Sequence, residues 1–101
     1  MAKMKHVKEL KIVEHNDQKG HTYECGPLMY IETKPGVIRA DHTHPYAETF
    51  WMLDGKFQLQ IGDEVIEMDA PCKIEIPAGV YHKLIAITQT NFIEKRHVTS
   101  S

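Results

Sequence analysis

Two cysteines in 101 residues are too few to suggest a disulfide framework. Cys25 and Cys72 are flanked by turn formers (Gly26-Pro27 and Pro71) and read as two small buried hydrophobes. An excess of one charge is also missing. Twelve Lys and Arg stand against 14 Asp and Glu, a net charge of −2 with histidines neutral. That balance gives no support to a nucleic-acid or anionic-membrane partner. No apolar run approaches the ~18 residues of a membrane-spanning helix. The start, Met1-Ala2-Lys3-Met4-Lys5-His6, has basic residues but no apolar stretch behind them, so it is not read as a secretory signal. A cytoplasmic location is the default expectation. Internal repeats, linkers and low-complexity segments are absent, and no stretch carries a convincing helical period.

What the chain does have is short apolar-alternating runs broken by Gly, Pro and Asp, the pattern of one all-β domain over residues 1–101. Strands are predicted at Val7–Glu14, Pro27–Thr33, Val37–Asp41, Ala47–Leu53, Lys56–Ile61, Glu64–Met68, Lys73–Ile76, Tyr81–Ile87 and Asn91–Lys95. Asn16-Asp17 reads as a break, Asp54-Gly55 and Gly62-Asp63 as tight hairpin turns, and residues 96–101 as a loose tail. Phe57, Leu59 and Ile61 share one strand face and Gln58 and Gln60 the other. Ala47–Leu53 is apolar on both faces, with Phe50 and Met52 on one and Trp51 and Leu53 on the other. A strand of that kind needs cover on both sides, and a homodimer is the expected source of the second cover.

Three histidines and a glutamate carry the chemistry. His42 and His44 lie two apart, on one face of an extended strand and roughly 7 Å apart at Cα, so that two imidazoles can converge on one ion. If the strand is regular, Ile38 and Ala40 share that face and Arg39 and Asp41 point away. Glu48 opens the next strand on the face of Phe50 and Met52. His82 arrives much later, after Pro77-Ala78-Gly79. Imidazole nitrogens and a carboxylate suit iron, manganese, nickel, copper or zinc. His6, His15, His21 and His97 lack such context and read as surface residues. Tyr46, Phe50, Met52, Tyr81 and Leu84 are the expected pocket neighbours.

The joint pattern resembles the cupin superfamily in its small single-domain form. That family's first motif is Gly, five residues, His-x-His, three or four residues, Glu, six residues, Gly; Gly36, His42, His44, Glu48 and Gly55 match every position. In the second motif Pro77, Gly79 and His82 match, while Pro71 stands where a glycine is expected and Ala86 replaces an asparagine. The resemblance covers residues 35–87 and implies a small jelly-roll β-barrel. It implies that His42, His44, Glu48 and His82 bind one divalent transition metal inside the barrel. Four ligands on a six-coordinate ion leave about two positions open. Glu48 has a second possible role as a base.

The function expected is metal-dependent chemistry on a small organic molecule, with dioxygenase-like chemistry ahead. A Lewis-acid isomerase, cyclase or lyase is the alternative, as is a cupin that binds a small ligand without turning it over.

Overall fold

In the computed structural model, which describes residues 5–98, ten strands form two antiparallel sheets and no helix. The strands are β1 (Val13–Asp17), β2 (Gly20–Cys25), β3 (Leu28–Thr33), β4 (Ile38–His42), β5 (Ala47–Asp54), β6 (Lys56–Ile61), β7 (Glu64–Asp69), β8 (Cys72–Ile76), β9 (His82–Ala86) and β10 (Thr90–His97). The larger sheet runs β1-β2-β3-β10-β5-β8 and the smaller β4-β9-β6-β7. The sheets face each other as a jelly roll without closing into a continuous barrel.

Strand alternation builds the core. Met29, Ile31, Phe50, Met52, Ile74, Ile76 and Phe92 come from the larger sheet, and Phe57, Leu59, Leu84 and Ala86 from the smaller. Each fully buried side chain of this size contributes about 1.5–3 kcal/mol. The expected division of β6 holds, with Phe57 and Leu59 buried and Gln58 exposed. Cys72 packs partly buried against this core, and both cysteines are free.

Four expectations need correction. Val7–Glu14 is not a strand. Only Val13–Asp17 is paired, because the turn falls at Gln18-Lys19, so that Asp17 faces Gly20 and Asn16-Asp17 ends a strand instead of breaking the chain. Residues 7–12 lie outside the strands, and Val7, Leu10 and Ile12 are exposed. The second strand of that hairpin, β2, was not expected at all. Asp54-Gly55 is not a hairpin turn either, because β5 and β6 lie in different sheets and Gly55 turns the corner between them. Gly62-Asp63 does close a hairpin, with Ile61 opposite Glu64. The segment 96–101 is not loose from its start. Arg96 pairs with Glu48, and His97 Nε2 meets the Thr49 hydroxyl at 2.7 Å. Val98 is exposed, and 99–101 lie outside the described residues.

The fourth correction bears on the site. β4 is not regular. The pairing with β9 slips between Arg39 and Asp41, and Ala40 is the extra residue, at φ +56°. Arg39 therefore faces Leu84, whose side chain points inward, and His42 faces inward-pointing His82. Ile38 and Asp41 face the outward-pointing Ile85 and Lys83. Asp41 points away as expected, but Arg39 turns in and Ile38 turns out.

Candidate metal centre

The site forms where the chain passes from one sheet to the other. His42 ends β4 in the smaller sheet, Glu48 lies near the start of β5 in the larger, and His44 sits on the connection between them. His82 opens β9, directly opposite His42. Two backbone hydrogen bonds fix the approach of the late segment. Gly79 N–H donates to the His44 carbonyl at 2.9 Å, and Gly62 N–H donates to the Tyr81 carbonyl at 2.8 Å. The four residues implied by the motifs are thus brought together, with one donor atom from each lying within 4.8 Å of every other.

The donor set fits a metal cation. His42 Nε2 and His44 Nε2 are 3.0 Å apart, His44 Nε2 and Glu48 Oε1 2.9 Å, and His82 Nε2 and Glu48 Oε1 3.0 Å. At the usual ligand distance of about 2.1 Å, adjacent donors of an octahedral ion sit about 3.0 Å apart. The far sides of two rings are already engaged. His82 Nδ1 lies 3.1 Å from the Val80 carbonyl, and His44 Nδ1 lies 3.3 Å from the Tyr46 carbonyl. A carbonyl only accepts, so each Nδ1 carries the proton and each neutral ring turns the Nε2 lone pair to the centre. Glu48 Oε1 and His82 Nε2 are buried without a hydrogen-bond partner. Their 3.0 Å contact is short enough for a hydrogen bond but lies off its line. Buried acceptors converging without aligned donors are costly unless a cation sits among them.

Charge at the site follows from the same geometry. Burial works against a charge on His82, but the Glu48 carboxylate beside it and the Val80 carbonyl prevail and hold its pKa above the ordinary imidazole value. Burial also opposes ionisation of Glu48, yet the close His82 ring, the Glu94 carboxyl and the His44 ring around it hold its pKa below the ordinary range. Burial, reinforced by the neighbouring His44 and His82 rings, lowers His42.

A proton and a metal ion therefore compete for His82 Nε2. The raised pKa of His82 gives the metal-free fold stability that is present below the unfolded value and lost as pH rises through the folded one. Metal binding has the opposite trend, because its ligands must be deprotonated. The gap in Tm between metal-loaded and chelator-treated protein should therefore widen from pH 6 to pH 8. Thermal melts across that range check it, and a gap that narrows with rising pH would be the contrary result.

Of the expected pocket neighbours, Tyr46 stacks on the His44 ring, with centroids 4.2 Å apart and planes 10° apart. Phe50 meets His82 edge-on at 6.2 Å. The Tyr81 hydroxyl donates to the Asp41 carboxylate. Met52 and Leu84 are sealed in the core. Glu94, on β10, was not anticipated. Its alternation with buried Phe92 was the available signal, since it places Glu94 on the inner face. Burial, then its neighbour Glu48, pushes its carboxyl up to about 8, so near neutral pH it keeps a proton to donate to Glu48.

The profile of the cupin domain family matches residues 29–93. No curated protein matches. Among solved structures, the capsular polysaccharide assembling protein CapF from Staphylococcus aureus superposes with a TM-score of 0.72 at 20% identity, over 92% of this chain and 30% of its own. An RmlC-like cupin from Shewanella frigidimarina gives 0.69 at 16% identity, over 87% of this chain and 83% of its own. A salicylate 1,2-dioxygenase from Pseudaminobacter salicylatoxidans gives 0.64 at 16% identity, over 68% of this chain and 20% of its own. This chain spans only about a third of CapF (30%), and at these identities the likeness is one of fold.

Proposed function

The chain belongs to the cupin domain family, and from that premise we propose that it is a metal-dependent enzyme acting on a small organic molecule. His42, His44, Glu48 and His82 hold one divalent transition metal. The observation that carries this reading is the convergence of three imidazoles and a carboxylate, two of whose buried atoms have no other partner. When bound, the metal supplies open coordination positions and, if it is a redox metal such as iron, the means to use dioxygen. Oxygenase chemistry is the leading form of the proposal.

This chain's own residues do the rest. Val80 and Tyr46 carbonyls set the tautomers of His82 and His44. Phe50 walls the inner side of the site against the His82 ring and excludes water from it. His42 is the exposed member of the set and lines an open cleft of about 760 Å³, the route by which substrate enters.

A second reading, Lewis-acid isomerase, cyclase or lyase, is favoured by the Glu48–Glu94 pair. A carboxylate next to a carboxyl that keeps its proton is suited to moving protons on and off a substrate. In that reading Glu48 would leave the metal, take a proton from one atom of the substrate as the base and return it to another, while the protonated Glu94 carboxyl holds it by donating a hydrogen bond.

The assembly proposed is a homodimer formed on the outer face of the larger sheet. Tyr23, Tyr30, Ile93 and Trp51 stand opposite one another in successive strands there, forming an apolar row across four strands. The location proposed is cytoplasmic; among the described residues, no helix is long and apolar enough to cross a membrane.

One purified, untagged, chelator-free sample tests these points together. Elemental analysis should give one equivalent of one transition metal, and sedimentation should give twice the chain mass. Iron with substrate-dependent oxygen uptake supports the oxygenase. Zinc, manganese or nickel with turnover but no oxygen uptake supports the second reading. Protein that arrives without metal and takes up none on addition sinks both.

A further inference from the structure

The bulge in β4 has a cost and a product. Ala40 is the one non-glycine described residue at positive φ, a conformation that costs an L-residue roughly 1–2 kcal/mol. Without the extra residue, the alternation that points His42 inward would point Arg39 to solvent. With it, Arg39 and His42 lie on the same inner face. Bulges beside active sites re-aim side chains in this way.

The guanidinium so placed is held by neutral acceptors. Arg39 Nε donates to the Thr33 hydroxyl at 3.0 Å, and Nη2 donates to the Glu32 carbonyl at 3.3 Å. Thr33 is fully buried, so the anchor is rigid. Asp17 acts on Arg39 through its charge, but among the described residues no carboxylate lies within ion-pair distance of it. A half-buried arginine with a fixed fork and no carboxylate partner has donors left for an incoming one.

Arg39 also stands between two clefts. The 760 Å³ cleft beside His42 is lined by Arg39 and by Lys19 from the β1–β2 turn, and its one carboxylate, Asp41, accepts from the Tyr81 hydroxyl. A second cleft, of about 340 Å³, is lined by Arg39 and by Arg96 from the opposite sheet. Asp17, and Glu24 with His15 facing it at 3.7 Å, also line this second cleft. A divalent ion and the Glu48 carboxylate would leave one positive charge at the centre, and Arg39 puts another in the cleft that His42 lines.

The geometry points to Arg39 as the recognition residue for a carboxylate on the substrate, making the ligand class a small organic acid entering beside His42. This rests on the metal-dependent reading above for the ligand's second point of attachment.

The probe is butyrate, with butyramide as its neutral isostere, titrated into metal-loaded and metal-stripped protein and followed by NMR. Metal stoichiometry is measured first. Loaded wild-type protein should bind butyrate more tightly than butyramide by about tenfold or more, with the Arg39 Nε–H resonance among those that move. Arg39→Met should weaken butyrate about tenfold with the metal equivalent unchanged, and Arg39→Lys, which keeps the charge but loses the fork, should recover part of it. Arg39→Gln serves if the methionine variant does not fold, because it retains a donor towards Thr33. A wild-type protein indifferent to the charge of the probe, or variants that bind butyrate as the parent does, would overturn the assignment. A protein that takes up no metal fails the earlier reading at the stoichiometry step. The stripped-protein titrations then decide Arg39 by the same comparison.

Discussion

Replacing His82 by alanine is expected to strip the protein of its metal and to lower its Tm by about 15 °C or more. His82 is 1% exposed, and its Nε2 meets only the other site atoms. Metal held at a thousand times its dissociation constant stabilises the folded state by about 4 kcal/mol, and each kcal/mol is worth about 4–8 °C in a domain of this size. The alanine also leaves a cavity beside Phe50, which adds to the loss. Chelator added to wild-type protein should reproduce most of the drop and should leave the variant's melt unmoved. Elemental analysis beside calorimetry reads both halves. A His82→Ala protein that retained a full equivalent of metal would refute the ligand set.

Gly55→Ala should cost more than about 4 kcal/mol, a large part of the roughly 5–15 kcal/mol that holds a domain of this kind together. Gly55 has φ +108° at the corner where the chain leaves one sheet for the other. A Cβ there would run into the Gln89 carbonyl and lie 2.8 Å from both Cα and Oγ1 of Thr90. The Gln89 carbonyl and Thr90 Cα are backbone, and the Thr90 hydroxyl is held by the Thr88 carbonyl at 2.9 Å, so nothing can yield cheaply. The control is Gly62→Ala. Its φ is +58° but nothing lies within 4 Å of the added methyl, so it should cost only the conformational penalty of about 1 kcal/mol. Urea denaturation of the pair separates crowding from φ. Equal midpoints would show that the close approach at Gly55 is not what requires glycine there.

The glycine contrast also shows how far the sequence could be read. The motif marks Gly55 as required, and Asp54-Gly55 reads as a hairpin turn because a hairpin and a corner use the same residues. Which one forms depends on whether β5 finds β10 and β8 or β6 as neighbours, and that is a property of the whole topology. The four residues of the cluster were legible because Gly36, His42, His44, Glu48 and Gly55, followed by Pro77, Gly79 and His82, stand at the spacing of the two cupin motifs, and that resemblance implies the set. Strand β2 was not legible because its core-facing positions are filled by Gly20, Thr22 and Glu24, none of them a large hydrophobe. Arg39 was misjudged because alternation assumes one residue per pleat, and Ala40 gives no local sign of being the extra one. Glu94 was overlooked although the pattern placed it, since a carboxylate among core positions invites reading as solvent-facing.

The place of β10 has a consequence for how the molecule comes into being. The final strand is not an edge. It lies between β3 and β5, and it alone joins the β1-β2-β3 ribbon to the β5-β8 pair. Until Thr90–His97 is in place, the larger sheet is two unconnected pieces and the wall behind Glu48 is missing. Pairings this distant in sequence close slowly, on the millisecond-to-second scale typical of β sandwiches. The cluster of His42, His44, Glu48 and His82 therefore takes its final form late in folding. A chain cut before Thr90 is therefore not a slightly trimmed version of this fold. It has open sheet edges and no Glu94 wall behind Glu48, a natural substrate for aggregation or proteolysis.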